Sequence, residues 1–307
     1  MVFPMEVAQA KIDGVRARDF RRDGFWATKM GFYLLWMEYL AISPSYELAR
    51  KHRVGELNEL ERQSLPEDFD DVLAVYDDLG DVQRLLFLPW WQERAMTVFG
   101  HKGVKPVVRR VATIGAKRKK KAAQALQSFI DNEWTEQAQP NAAIVSIPLG
   151  LSKTQITRQL TKILERYSKE ERSLAKAEAK YPLLGTRQRK DTLFRYLMVV
   201  WVRAALPKYA LWRVGVKSRV SATYSPELDA KAPVVRGKQV YDRGVLSIIT
   251  SRAYARGVAL AENAARGRFP SYASPLHAVD PNLHALWTLV RSRRKWKKAQ
   301  AKQRYQL

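Results

Sequence analysis

Five apolar positions set the register of the most legible helix in the chain. Leu193, Tyr196, Leu197, Val200 and Trp201 fall at i, i+3, i+4, i+7 and i+8, one face of an α-helix. Pro207 cannot continue that helix but suits the first position of another. The pattern predicts a second, short helix over 208–216, with Leu211, Trp212 and Val216 inward. Arg203, Lys208, Arg213, Lys217 and Arg219 lie off the apolar face. The pair therefore reads in two ways: a cationic helix offered to a DNA groove, or a core hairpin with a charged exterior.

The same periodicity organises the flanks. Residues 27–41 are apolar almost all round, with Phe32, Tyr33, Trp36 and Tyr39, which predicts a buried helix. Ser43-Pro44 is an N-cap and first-position pair for a helix reaching Arg53. An acidic helix is expected over 65–79, with Phe69, Val72, Leu73 and Tyr76 as its apolar face, and Pro89-Trp90-Trp91 opens another toward Phe99. Residues 1–26 read as an irregular arm. Glycines, Pro106 and a basic run mark 101–122 as a boundary, and 122–134 reads as helical. The β-branched stretch 142–149 is the best strand candidate. Ser152 then caps an amphipathic helix striped by Ile156, Leu160, Ile163, Leu164 and Tyr167, and 168–180 alternates in charge. Long helices are expected over 240–266, stopped by Gly267, and over 283–305.

These elements predict a mainly α, multi-helical chain with a minor β element. Its expected organisation is an arm (1–26), an acidic helical domain (27–116), a basic linker and helix (117–141), a basic helical domain for nucleic acid (142–270) and a basic C-terminal helix (271–307).

Charge changes the picture most. The 307 residues carry a formal net charge of +24. Residues 1–100 hold 12 Lys and Arg against 17 Asp and Glu, whereas the remainder holds 42 against 13. Such an excess repels itself unless a polyanion neutralises it. Nucleic acid is the expected partner, DNA before RNA, and the acidic 66–81 face suggests a protein contact within a homo-oligomer or larger nucleoprotein complex. No run is long and apolar enough to span a membrane and no signal layout opens the chain, so a cytoplasmic, nucleoid-associated protein without a membrane partner is expected. With no cysteine, disulfides and thiolate chemistry are excluded.

Phosphate contacts are expected from Arg118, Lys119, Lys120 and Lys121; from Lys153, Arg158 and Lys162; and from Arg187, Arg189 and Lys190. Further candidates are Lys208, Arg213, Lys217, Arg219, Arg252 and Arg256, then Arg291, Arg293, Arg294, Lys295, Lys297 and Lys298, with Trp296 among them. Arg213 is the expected base reader, because its planar fork matches the two acceptors of guanine.

Motifs for catalysis are sparse. The four histidines lack zinc-site spacing, and neither a phosphate-binding glycine loop nor Gly-x-Ser-x-Gly occurs. Asp70, Asp77 and Asp81 suggest a metal-dependent nuclease, and Tyr241, Tyr254 and Tyr305 a recombinase. Neither set has a supporting motif, so a non-enzymatic protein without cofactor or metal is expected. The alternatives left open are a shape-binding subunit of RNA-guided, replication or packaging machinery, and a nuclease or recombinase.

Three segments taken together suggest a family. They are YLLWMEYLAISPSYELAR (33–50), VSIPLGLSKTQITRQLTKIL (145–164), and the run from RKDTLFRYLMVVWVRAAL (189–206) to ALAENAARGRFP (259–270). Their order resembles transcriptional-regulator-like proteins of bacterial genomic islands and plasmids, including those with a RovC-like DNA-binding domain. Trp36, Leu40, Pro44 and Tyr46 approximate that pattern's first element. The resemblance spans about half of the chain and leaves out 65–79 and 291–304. It implies DNA binding, oligomerisation and regulation from a mobile element, with no chemistry.

Overall fold

The computed structural model describes residues 20–22, 25–27, 29–102, 107–135, 141–168, 179–185, 189–235 and 237–304. Residues 1–19, 23 and 24 of the arm expected over 1–26, Arg187, the core of the alternating-charge run (169–178) and Tyr305 lie outside the described residues. In chain order the elements are strands β1 (Phe20–Arg22) and β2 (Phe25–Ala27), then helices α1 (Met30–Leu40), α2 (Pro44–Val54), α3 (Glu59–Gln63), α4 (Phe69–Leu79) and α5 (Phe87–Trp90). A π-helical turn, Trp91–Ala95, leads to α6 (Met96–Phe99) and strand β3 (His101–Lys102). A 3-10 turn at Ala116–Arg118 precedes α7 (Lys119–Ser128), which runs into a second π-helical stretch, Phe129–Trp134. Helices α8 (Lys153–Leu164), α9 (Lys190–Ala205), α10 (Leu211–Ser218), α11 (Tyr224–Glu227), α12 (Val240–Ala265) and α13 (Leu283–Arg304) complete the chain. The fold is mainly helical with one small antiparallel sheet.

Two compact units emerge. The first, among the described residues, combines 29–99 and 180–304. Its core forms where α1 meets α9 and α12, because α1 has no polar face to turn to water: Met30, Tyr33, Leu35, Trp36, Met37, Tyr39 and Leu40 are all buried. Two buried aromatic donors fix the packing. Trp36 Nε1 donates to the Ala264 carbonyl at 3.2 Å, and Tyr39 Oη donates to the Leu193 carbonyl at 2.7 Å. The Phe269 ring sits 5.1 Å from Trp36 and 5.5 Å from Tyr39. Helices α9 and α12 approach closely at Gly257, where a Cβ would lie 2.6 Å from Val200 Cγ2 and 3.0 Å from the Tyr196 carbonyl oxygen. The acidic 27–116 and basic 142–270 segments were expected as separate domains; α1, α9 and α12 instead share one core.

A polar network ties the same unit together. Glu262 is wholly buried on α12. It accepts from Ser43 Oγ at 2.6 Å, Ser45 Oγ at 2.5 Å and the Ser45 backbone N–H at 3.2 Å. Those donors belong to the cap and first turn of α2, where unpaired N–H groups favour an anion. Arg266 bridges Glu262, at 3.0 Å, to Asp68, at 2.6 Å. Every neighbour of this buried charge is thus a donor, as burial requires.

The second unit comprises 20–27 and 100–179. Strands β1 and β2 form a tight hairpin, Phe20 opposite Ala27 and Arg22 opposite Phe25, and β3 pairs antiparallel with β2. The Trp26 and His101 rings stack at 4.4 Å. From 101 to 179 no described residue is buried. Residues 142–149, expected as a strand, are exposed and form no strand; Ile144, Val145 and Ile147 have strand propensity but find no partner strand among the described residues.

Candidate nucleic-acid interface

In the second unit the basic side chains ride on two helices. Ala116–Arg118 and α7 carry Arg118, Lys119, Lys120 and Lys121, all exposed. The run is not a linker: it forms the first turns of a helix whose apolar side includes Phe129. Nearby, Arg109 pairs with Glu133 and lies over the Phe129 ring at 5.5 Å. Helix α8 begins at a complete capping box, with Ser152 Oγ accepting from the Gln155 N–H at 3.3 Å and Gln155 Oε1 accepting from the Ser152 N–H at 2.9 Å. Its exposed Lys153, Arg158 and Lys162 have no acidic partner among the described residues. On that helix Arg158 and Lys162 oppose the stripe of Ile156, Leu160 and Ile163.

In the first unit α10 belongs to the core. Trp212, Val214, Gly215 and Ser218 are buried, and Gly215 lies against Thr250 and Leu246 of α12 with no room for a side chain. The helix spans 211–218 rather than 208–216, and Pro207 sits in the connecting turn instead of opening the helix. Arg213 donates through Nη2 to the Ala232 carbonyl at 3.1 Å and lies 5.0 Å from the Trp212 ring. One nitrogen of the fork expected to read guanine thus already donates within the chain. Arg243, which periodicity did not single out, lies over the same ring at 5.2 Å. Lys217 is half-buried, whereas Arg189, Lys208 and Arg219 are exposed. Lys190 is half-buried, 5.6 Å from the Phe32 ring.

Helix α12 exposes Arg252 and Arg256. Arg256 Nη1 donates to Tyr196 Oη at 2.9 Å and lies 5.6 Å from the Tyr272 ring. The two tyrosine rings meet edge to face at 6.0 Å. No sequence signal joins Tyr272 to Tyr196; only the return of the chain after Gly267 does so.

Helix α13 divides its charges between two sides. Leu286, Val290 and Arg293 are buried, a spacing of four and then three that continues to Lys297. Arg293 Nη2 and Lys297 Nζ donate to Glu38 Oε1 at 3.2 and 2.5 Å. Burial pushes the Glu38 carboxyl up, but the charges and hydrogen bonds of Lys297 and Arg293 outweigh it and hold its pKa at about 2. These two cations, expected on phosphates, are thus occupied by an internal carboxylate. Arg291, Lys295 and Lys298 remain exposed, with Arg294 and Trp296 half-buried.

No family model, curated protein or solved structure matches this chain. Function must therefore be argued from the side chains themselves. The acidic face of α4 is partly engaged inside the first unit: Asp77 by Arg53 at 2.5 Å and Asp78 by Lys180 at 2.6 Å and Tyr181, with Asp68 before the helix held by Arg266, while Asp70 and Asp71 are exposed. Among the described residues no three His, Asp or Glu side chains assemble as metal ligands. Among the same residues no helix is long and apolar enough to cross a membrane.

Proposed function

We propose that this protein binds nucleic acid, DNA in preference to RNA, through phosphate contacts from exposed Arg and Lys, and that it reads shape more than sequence. One observation carries the reading. Lys119, Lys120 and Lys121 on α7, Lys153, Arg158 and Lys162 on α8, and Arg291, Lys295 and Lys298 on α13 stand exposed without acidic partners among the described residues, while Glu38, Asp68, Asp77 and Asp78 of the first unit are paired internally. Unpartnered cations on helices favour a polyanion and supply affinity without sequence information. The commitment of Arg213 to Ala232 and Trp212 favours shape over base reading. The chain then serves as an architectural or regulatory protein, or as a subunit of a nucleoprotein complex.

The test is the salt dependence of binding to duplex DNA of specific and random sequence and to RNA, by fluorescence anisotropy. Neutralising Lys119, Lys120 and Lys121 to Gln should weaken all sequences alike and lower the slope of log K against log salt by about 0.9 per lost duplex phosphate contact. Absence of duplex binding at about 50 mM salt, or a slope indifferent to the substitutions, overturns the proposal.

A further inference from the structure

Helix α12 has two unlike faces. Leu246, Thr250, Ala253, Gly257 and Leu260, at spacings of four and three, are buried where the helix packs against α9 and α10. The opposite face runs through Tyr241, Gly244, Ile248, Ser251, Arg252 and Ala255, all exposed. At about 1.5 Å per residue it is about 21 Å long. The outer face of a solvated helix carries charge, yet Arg252 is the only charged residue on this one. Tyr241 is 75% exposed and Ile248 54%. Val240, and Val234 and Val235 just before the helix, are exposed as well. Apolar side chains gathered in this way mark an interaction surface, whereas single ones scattered over a monomer do not.

The face fits a reversed copy of itself. In an antiparallel two-fold pair centred on Ile248, residues equally far from 248 stand opposite each other. Ile248 then meets its own copy, Tyr241 meets Ala255, and Arg252 meets Gly244. Room exists where the longest side chain needs it: a Cβ at Gly244 would meet nothing of its own chain within 4 Å. Charge follows the same symmetry. At about 100° per residue, Asp242 and Arg252 lie on one flank of the line through Tyr241 and Ile248. Antiparallel two-fold pairing brings like flanks together, and Asp242 stands only two residues, about 3 Å along the axis, from the Gly244 that faces Arg252. Neither Asp242 nor Arg252 has an ion-pair partner among the described residues. A phosphate backbone or an anionic membrane would meet a lone arginine and a carboxylate here, whereas a second copy supplies an opposite charge for each.

We propose that the outer face of α12 is a homodimer interface, formed by antiparallel packing on the α12 of a second copy, with Asp242 and Arg252 pairing between copies on either side of Ile248. The surface is separate from the cations of α7, α8 and α13 and stands without the nucleic-acid reading. One helix face with the 234–235 segment is small beside the roughly 800 Å² per partner of a standard interface, so a dissociation constant on the order of micromolar is expected.

The experiment is sedimentation equilibrium of the full-length protein, freed of nucleic acid, over about 1–100 μM at about 150 mM salt. A monomer–dimer equilibrium is expected. Ile248→Asp sets two like charges face to face at the axis and should weaken it about tenfold or more. Asp242→Arg and Arg252→Asp should each weaken it about threefold or more, and the double reversal should recover most of that loss. All three positions lie off the buried face of α12, so the variants should fold; circular dichroism and the urea midpoint check this. A wild type that stays monomeric, an Ile248→Asp variant that dimerises as wild type, or a double reversal no tighter than either single change overturns the proposal. A monomeric wild type whose binding to duplex DNA or to anionic vesicles is lost on Ile248→Asp assigns the face to that partner and overturns it too. Duplex binding by a monomer leaves the nucleic-acid reading standing while this one falls.

Discussion

Replacing Glu38 by glutamine perturbs one charge in the most consequential ion pair of α13. Glu38 is held at a pKa of about 2 against an ordinary 4.5, a depression of about 2.5 units. At about 1.36 kcal/mol per unit this corresponds to roughly 3 kcal/mol of stability. A depressed folded-state pKa means the contribution is complete above the unfolded value, near pH 4.5, and is lost as pH falls toward 2. Glu38→Gln should thus cost roughly 3 kcal/mol at pH 7, in line with the roughly 3–5 kcal/mol for stripping a buried charge of its partner. The stranded partner is Arg293, a buried guanidinium. For a unit of about 200 residues the midpoint should fall by about 6–12 °C. Urea unfolding of wild type and variant at pH 7, 4.5 and 3 measures it. The gap should be nearly full at pH 4.5 and about halved by pH 3. A variant within about 0.5 kcal/mol of wild type at pH 7, or a gap that ignores pH, would falsify the assignment of Glu38 as the acceptor that seats α13.

Three further outcomes are expected. Gly257→Ala should destabilise by about 1–3 kcal/mol, read from the denaturant midpoint, because its Cβ meets the Tyr196 backbone at the crossing of α9 and α12. Arg213→Ala should lower the melting temperature by the equivalent of about 1–2 kcal/mol while leaving a binding profile over a randomised site unchanged; a changed profile restores Arg213 as a base reader. Amides of 107–135 and 141–168 should exchange with solvent faster than those of α1, α9 and α12, since no side chain there is buried, and should slow on adding duplex DNA. Equal protection of both regions in mass-spectrometric exchange counts against that account.

What the sequence disclosed was whatever depends on neighbours three or four residues away. Ser43 caps α2 and Ser152 caps α8 as expected, and on α9 Leu193, Leu197 and Val200 of the expected face are buried, with Tyr196 and Trp201 half-buried. What stayed hidden depends on partners far along the chain. The 142–149 stretch has the composition of a strand, but composition does not supply the neighbouring backbone a strand needs. Conversely, β2 joins β3 across more than 70 residues, from a segment whose arginines suggested an irregular arm. The sorting of α13 into inner and outer cations was equally hidden, because Glu38 lies 255 residues from Arg293. One local clue existed: Glu38 is the only charged residue in MGFYLLWMEYL, and a lone acid in a buried helix needs a cation. Glu262, the only charged residue of 259–265, gave the same kind of clue.

The contact between Ser43 and Glu262 sets a timetable for synthesis. The two residues are 219 positions apart. At roughly 5–20 residues per second, α2 leaves the ribosome about 10–45 s before the carboxylate that its first turn binds. Until residue 193 emerges the aromatic helix α1 has neither the Ala264 nor the Leu193 carbonyl to accept its indole and phenol protons, and until residue 264 emerges it still lacks the first, so a strongly apolar segment waits without its core. A nascent chain of this design is exposed to chaperone capture for most of its elongation, and closes its first unit only when α12 emerges.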